Sequence, residues 1–498
     1  MWLKKILSLY FARHVVKKNR VWKNNPINAQ NLVFKKLIKS AKKTSFGKEH
    51  SFEKINTYDD FTKHVPVRDY EGLKKYINKI ISGEENVLWP GTPLYFCKTS
   101  GTTSGSKYIP ISKESMPNHL NAARDAILNY IAETKNTSIV SGKMIFLQGS
   151  PKLSKKGGVS TGRLSGIVAH HIPFYLKKNR LPSFKTNCIE DWEEKLNQIV
   201  CETEYQNMTL ISGIPPWVQM YFEKLKKKHN KNIKEIFKNF NLFIYGGVNF
   251  EPYRNSFSKI IGKKIDSVEL YPASEGFIAY QDSQKHKGML LCVDNGIFYE
   301  FIRADEFFNN NPKRITLKDV RVGINYVIIL NTNAGLWGYN IGDTVRFVST
   351  KPYRLIVSGR IKHFTSAFGE HVIAEEVEKS LDYAFSLYPC EIKEFHVAPQ
   401  VNPKKGAPYH EWFIEFAKKP KDIVLFEQAL DKKLQSLNSY YKDLIVGGVL
   451  TTLKITFVKK DGFIMYMQSI GKLGGQNKTP RLSNDRIIAD KLKKYLHG

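Results

Sequence analysis

Apolar residues recur at helical spacing through the N-terminal part of the chain. Between residues 28 and 43, Leu32, Val33, Leu37, Ile38 and Ala41 fall close to one helical face, and a second helix is predicted over 70–82. Trp89-Pro90-Gly91-Thr92-Pro93 then breaks the pattern. A short strand over 94–97 is followed by a Thr/Ser/Gly segment, and Ser112 is placed to cap a long helix ending near Glu133. Further on, apolar runs of strand length (143–148, 208–212, 242–246, 267–270) alternate with helical stretches over 190–201 and 217–229. Such alternation is the pattern of an α/β domain.

From 288 to 348 the pattern shifts. Runs over 289–292, 297–302, 326–331 and 344–348 read as successive strands, with turn signals at Asp294-Asn295-Gly296 and Asn333-Ala334-Gly335. This predicts an antiparallel or barrel-like section. A boundary falls near Ser358-Gly359-Arg360, and beyond it lies a compact α+β set: helix 374–385, strands 391–398 and 411–417, helix 422–437, strand 453–458. The predicted fold class is α/β and multidomain. Residues 1–358 form a large N-terminal α/β domain with a β-barrel-like section, and residues 359–498 a small, mobile C-terminal α+β domain. A chain of 498 residues exceeds the size at which one core keeps growing.

Composition narrows the class. No stretch reaches the roughly 18 apolar residues of a membrane-spanning helix. Lys4 and Lys5 precede the apolar residues 6–12 as in a signal peptide, but Arg13 interrupts the run and no small-residue cleavage site follows, so an amphipathic first helix is expected. Five scattered cysteines without a CxxC exclude a disulfide framework and a structural zinc site, and they fit a reducing cytoplasm. The net charge of +31 comes from lysines and arginines that are mostly dispersed, with the densest runs at 224–234 and 491–494 reading as solvated helix faces. That field suits a polyanionic substrate such as ATP and does not single out nucleic acid as a partner. A monomer is expected. His170-His171 lacks a third ligand, and adjacent residues on a strand point opposite ways, so the pair is read as structural or substrate-lining.

The densest candidate chemistry is Thr99-Ser100-Gly101-Thr102-Thr103-Ser104-Gly105-Ser106-Lys107. Its hydroxyls and bared backbone N–H groups can donate to phosphate oxygens, its glycines permit close approach, and Lys107 supplies a point charge. The glycine spacing is too short for a Walker loop and Tyr108 follows the lysine, which excludes a P-loop NTPase.

Five ordered motifs then identify a resemblance. They are the loop with Tyr108-Ile109-Pro110; Tyr271-Pro272-Ala273-Ser274-Glu275-Gly276; Gly335-Leu336-Trp337-Gly338-Tyr339-Asn340-Ile341-Gly342-Asp343; Gly359-Arg360 with Phe364 and Phe368-Gly369-Glu370; and Gly475-Gln476-Asn477-Lys478-Thr479-Pro480-Arg481. Tyr245-Gly246-Gly247-Val248 fits the same texture. From about residue 28 to 481 the chain resembles the auxin-responsive Gretchen Hagen family of acyl acid amido synthetases, within the luciferase-like adenylate-forming superfamily. It departs from plant members at Gly338 and Asn340, where arginines commonly flank the tyrosine, at Asn477, and at Ala273; these departures bear on the choice of acid and amine.

The resemblance implies roles. Residues Thr99, Ser100, Gly101, Thr102, Thr103, Ser104, Gly105 and Lys107 would cradle phosphates, with Gly246 and Gly247 beside the nucleotide. Tyr271 would stack on adenine. Ser274 and Glu275 would sit by the phosphates, with Glu275 as Mg²⁺ ligand, since a carboxylate there needs a metal to offset repulsion. Asp343, read as lying in a turn between strands, would accept from the ribose hydroxyls. Arg360 and Phe364 would join the nucleotide site near a hinge at Gly359. Lys478 would reach the large domain's site and stabilise charge on the α-phosphate and the attacking carboxylate. The implied activity is activation of a carboxylic acid as an acyl-AMP, then transfer to an amine such as an amino acid. The alternatives are a thioester ligase using coenzyme A and, second, a non-catalytic basic nucleic-acid-binding module on an enzyme-like scaffold.

Overall fold

The chain opens with helices α1 (Trp2–Asn24), α2 (Pro26–Ala41), α3 (Ser45–Glu49), α4 (Tyr58–His64) and α5 (Tyr70–Ile81). In α5 the Asp69 side chain accepts from the N–H groups of Glu71 and Gly72, a cap of the kind that contributes about 1 kcal/mol. Its buried residues Tyr70, Leu73, Tyr76, Ile77 and Ile80 form one stripe. That stripe joins a core cluster with Phe46, Phe52, Phe61 and Trp337. The computed structural model describes the chain apart from residues 1, 101–105, 248–249, 362–363, 366–371, 402, 404, 447–449, 474–478, 484 and 497–498. The side chains of Ser100, Ser106, Arg360 and Phe364 also lie outside the described set.

Two strands follow, β1 (Tyr95–Ser100) and β2 (Ser106–Ile111), and then helix α6 (Met116–Thr134). Thereafter come β3 (Lys143–Phe146), β4 (Ser154–Lys156), β5 (Val159–Gly162), β6 (Arg180–Leu181), β7 (Met208–Ser212), β8 (Leu242–Gly246), β9 (Asp266–Ala273), β10 (Gly276–Tyr280), β11 (Met289–Leu291), β12 (Ile297–Arg303), β13 (Ile315–Thr316), β14 (Asn325–Thr332), β15 (Tyr339–Thr350) and β16 (Tyr353–Arg360). Twelve of these make one sheet in the order β13-β12-β14-β15-β16-β11-β10-β9-β8-β7-β3-β6. From β6 to β9 the neighbours run parallel, and the hairpin β9–β10 turns the sheet antiparallel. A smaller sheet has the order β2-β1-β5-β4.

The antiparallel section is therefore a continuation of the large sheet, and no closed barrel forms among the described residues. The two end strands, β13 and β6, are each two residues long and sit at opposite ends of the order. The sheet is covered on both faces here. Phe298 belongs to the helical cluster, with its ring 4.8 Å from Phe34 of α2, while Tyr299 and Phe301 belong to another. Strands buried on both faces read as unbroken apolar runs, which do not distinguish an open sheet from a closed one.

By the density of its internal contacts the chain divides into two compact units. One comprises Met1–Phe250, Phe257–Ile341 and Val345–Ile356; the other comprises Glu251–Ser256, Gly342–Thr344 and Val357–Gly498. In the second unit, strands Glu391–Gln400, Tyr409–Lys418 and Lys454–Phe457 form a three-stranded sheet. Helices Ala374–Leu387 and Ile423–Leu437 pack through Val377, Leu381, Phe426 and Leu430 onto Phe395, Trp412 and Ile414. Among the described residues, no helix is long and apolar enough to cross a membrane.

Candidate active site

Strands β3, β7, β8 and β9 are parallel, so their carboxyl ends at Phe146, Ser212, Gly246 and Ala273 share one edge. From β3 the chain passes to β6 on one side and returns to β7 on the other. Ligands of open α/β sheets bind outside such carboxyl ends, at the point where strand order reverses.

Three turns meet near this edge. In the first, β1 and β2 pair antiparallel with Thr99 opposite Lys107 and Ser100 opposite Ser106. The Thr/Ser/Gly segment thus falls between two strands paired antiparallel. It does not lead from a strand into a helix, as the sequence suggested. Residues Gly101, Thr102, Thr103, Ser104 and Gly105 lie outside the described set. The long helix begins only at Met116; Ser112 is buried, its Oγ accepts from the N–H groups of Glu114 and Ser115, and it donates to the Asn333 carbonyl at 2.7 Å. Ser112 organises the bend before the helix. Lys107 Nζ lies 5.7 Å from the centre of the Tyr70 ring, and the Tyr70 hydroxyl accepts from the Tyr108 N–H at 2.9 Å.

The second turn joins β9 to β10. Ala273 pairs with Gly276, which leaves Ser274-Glu275 as a two-residue tip. The Cys97 thiol donates to Ser274 Oγ at 3.1 Å and ties the stem of the first hairpin to this tip. Burial pushes the Cys97 thiol up to about 12, with the Glu275 carboxylate adding to the shift. The thiol stays protonated and acts as a donor, not a nucleophile. Tyr339 is 1% exposed and its hydroxyl donates to Glu275. Burial first, then that carboxylate's charge, raise the Tyr339 phenol well above its ordinary value.

The third is the end of β8. A Cβ on Gly246 would meet the Leu270 carbonyl oxygen at 2.4 Å, and Gly247 turns the chain at φ +79°. Only glycine permits the first contact, and the second favours it. Close strand packing thus accounts for Gly246 whether or not a nucleotide approaches.

The structure brings Thr99, Lys107, Ser274 and Glu275 into one neighbourhood, with Gly246 and Gly247 on the same sheet edge. Tyr271 is 7% exposed and buried with Ile278, Ala279 and Leu291 in the core of the antiparallel section. Asp343 lies inside β15, not in a turn: Gly342, at φ +88°, interrupts the run locally but the strand spans both. Irregular strand geometry at a glycine resembles a turn in sequence. Arg360 closes β16, and Phe364 pairs with Ile373 in a two-stranded sheet. Lys478 lies outside the described residues. His170 ends the helix Leu164–His170, and His171 follows it; their Nε2 atoms meet the Pro151 carbonyl at 2.8 Å and the Tyr95 hydroxyl at 3.0 Å, so they are structural contacts and not a strand pair. Cys97 and Tyr339 had no assigned role in the sequence, because only tertiary contact shows that both touch the Ser274-Glu275 tip.

Comparison with known proteins identifies the family. Three family models match in succession: GH3 family N-terminal domain over residues 16–211, GH3 family central domain over 290–360, and GH3 family C-terminal domain over 375–487. The chain is 22% identical over 355 residues to Jasmonoyl--L-amino acid synthetase JAR4 of Nicotiana attenuata, covering 57% of this chain and 60% of that protein. It is 22% identical over 359 residues to JAR6 of the same organism, with the same shares, so it spans 60% of the length of these curated relatives. Among solved structures, GH3.15 acyl acid amido synthetase superposes with a TM-score of 0.79 at 14% identity, covering 97% of this chain and 96% of that one. A 2-hydroxyisobutyryl-CoA ligase in the postadenylation state gives 0.58 at 11% identity, covering 94% and 91%. These two likenesses are of fold. With the three models matching in order along most of its length, the chain belongs to the GH3 family.

Proposed function

We propose that this protein is an ATP-dependent acyl acid amido synthetase, which activates a carboxylic acid as an acyl-AMP and passes the acyl group to an amine, such as an amino acid. The observation that carries this reading is the junction of the Thr99–Lys107 hairpin with the Ser274-Glu275 tip, at the carboxyl edge of a parallel sheet, in a GH3 chain. By its sequence the Thr99–Lys107 segment carries hydroxyls, glycines and a lysine suited to phosphates. Glu275 fits a Mg²⁺ site: it is half-buried, next to the Ser274 that Cys97 of β1 bonds, and Mg²⁺ takes one or two carboxylates plus substrate phosphates. Bound there, the metal would neutralise phosphate charge. Tyr339 donates a hydrogen bond that holds the Glu275 carboxylate in place.

In the first half-reaction the acid's carboxylate attacks the α-phosphorus, forming a C–O–P linkage and releasing pyrophosphate. In the second the amine attacks the activated carbonyl, and AMP leaves. The chain's part in both is positioning and charge neutralisation. By family resemblance Asp343 binds ribose, Tyr271 adenine, Arg360 and Phe364 the nucleotide, and Lys478 the charge developing at the α-phosphate. Rotation of the C-terminal domain about the Gly359 region belongs to the same reading; the division between the two units falls close by, at Val357. The second reading, transfer to coenzyme A, is favoured by the fold-level likeness to a CoA ligase. Acid-dependent ATP–pyrophosphate exchange, followed by product analysis with amino acids or with coenzyme A, tests both. Absence of exchange across a broad acid panel refutes adenylation, and a thioester product with no amide selects the second reading.

A further inference from the structure

Just beyond the carboxyl end of β3 the chain buries cations that no acidic side chain answers. Lys195 is 3% exposed, and its ammonium donates to the carbonyls of Gln148 at 3.1 Å and Asn187 at 2.7 Å. A lysine has three donors, so one is left over. Arg163 stands beside it: a Cβ on Gly149 would meet Arg163 Cδ at 2.9 Å, so the glycine after Gln148 makes room for the arginine stem. Arg163 is half-buried, with its Nη1 shielded from solvent and without a hydrogen-bond partner. Gln148 Nε2 and Trp192 Nε1 are also buried donors without partners. Trp192 and Lys195 are three residues apart on the helix Trp192–Thr203 and so share a face. No salt bridge among the described residues takes up Arg163 or Lys195.

Burying unpaired cations beside unpaired donors is costly, and such an arrangement is kept where an anion completes it. Burial pushes the Lys195 ammonium down to about 8; the Cys188 side chain acts against that shift and the charge of Arg163 acts with it. Burial likewise lowers Arg163. The position is informative as well. Strand β3 lies three places from β9 in the sheet, so Gln148 is about 14 Å along the edge from the Ser274-Glu275 tip. That separation sets the pocket apart from the phosphates of the nucleotide.

We propose that Gln148, Arg163, Trp192 and Lys195 bind a second carboxylate, one that is not activated. Its source is the far end of a dicarboxylic acyl substrate or the carboxylate of the accepting amino acid. This rests on the amido synthetase reading for its substrates, though not for the existence of the anion pocket.

The test uses the full chain and Arg163→Gln. Without ATP, adipate and pimelate are compared with hexanoate and heptanoate by thermal shift, as are alanine and alaninamide. With ATP, the acids are compared by pyrophosphate exchange and the amines by amide formation. For one ligand pair, the member carrying the extra carboxylate should bind wild type more tightly, and R163Q should lose that preference by about 10- to 100-fold, the span of one charge-assisted hydrogen bond. A loss confined to the acids assigns the acyl substrate; a loss confined to the amines assigns the acceptor. Arg163→Lys should restore part of the preference, which a purely structural arginine would not show. Unliganded R163Q should melt no lower than wild type, since an unanswered charge has gone. Carboxylate-dependent binding without any exchange keeps the pocket and refutes the amido synthetase reading. Equal preferences in wild type and R163Q, for acids and amines alike, overturn the proposal.

Discussion

Replacing Glu275 by glutamine separates the charge of that side chain from its shape. The Tyr339 hydroxyl donates to Glu275, and a glutamine amide oxygen accepts the same bond. The fold should therefore lose only the difference between a charged and a neutral acceptor, about 0.5–1.5 kcal/mol. Glu275 is only half-buried, which puts the figure at the lower end, and the melting temperature should fall by no more than about 4 °C. The effect on metal should be much larger. Loss of a carboxylate ligand weakens metal binding by about 10- to 100-fold on the scale of altered metal-site residues, or about 1.4–2.7 kcal/mol. The assay is acid-dependent pyrophosphate exchange titrated with Mg²⁺ at saturating ATP. Glu275→Gln should move the Mg²⁺ midpoint upward by that factor, with part of the rate recovered at high Mg²⁺. Tyr339→Phe should do the reverse: it keeps the charge, removes the donor and costs stability more than metal affinity. If Glu275→Gln leaves both midpoint and rate within about threefold of wild type, a range too small for the loss of a charged ligand, the metal role is wrong.

Other substitutions test separate steps. Lys478→Ala should abolish most exchange while the melting curve stays within about 2 °C, since a lysine that serves the reaction is expected to contribute little to stability; unchanged exchange would sink its assigned role. Gly246→Ala forces a Cβ to 2.4 Å from the Leu270 oxygen, so β8 and β9 must separate. Thermal melts should show a loss of about 1–3 kcal/mol, and an unchanged melt would mean the strands accommodate it. The Cys97 thiol is raised to about 12, so its contribution to stability is complete below its ordinary value near 9 and lost as pH climbs towards 12. Native alkylation at pH 8 should therefore label exposed Cys201 and spare Cys97, as read by peptide mass mapping. Early labelling of Cys97 would contradict its burial.

The elements legible in the sequence were those where local signals agree. The helix predicted over 70–82 forms as Tyr70–Ile81, where an Asp69 cap and an apolar stripe support the same element. The C-terminal set was legible for the same reason: the helix Ile423–Leu437 starts at a capping aspartate and the strands around it are dense in β-formers. The segment before Met116 misled because five intervening residues of Thr, Ser and Gly carry no strand signal, although the residues on either side pair in register. Asp343 misled because a glycine inside a strand looks like a turn.

Charge shows the limit most clearly. In a chain with 77 lysines and arginines, Arg163 and Lys195 look like any others. Sequence order and type determined the family and most of the elements. Only the tertiary structure decided that Tyr339, itself in the core, bonds Glu275, that Cys97 is a donor, and that a buried Lys195 and a half-buried Arg163 stand without acids. The reason is physical: helix and strand signals repeat along the chain, whereas desolvation and pairing depend on residues brought together from distant positions.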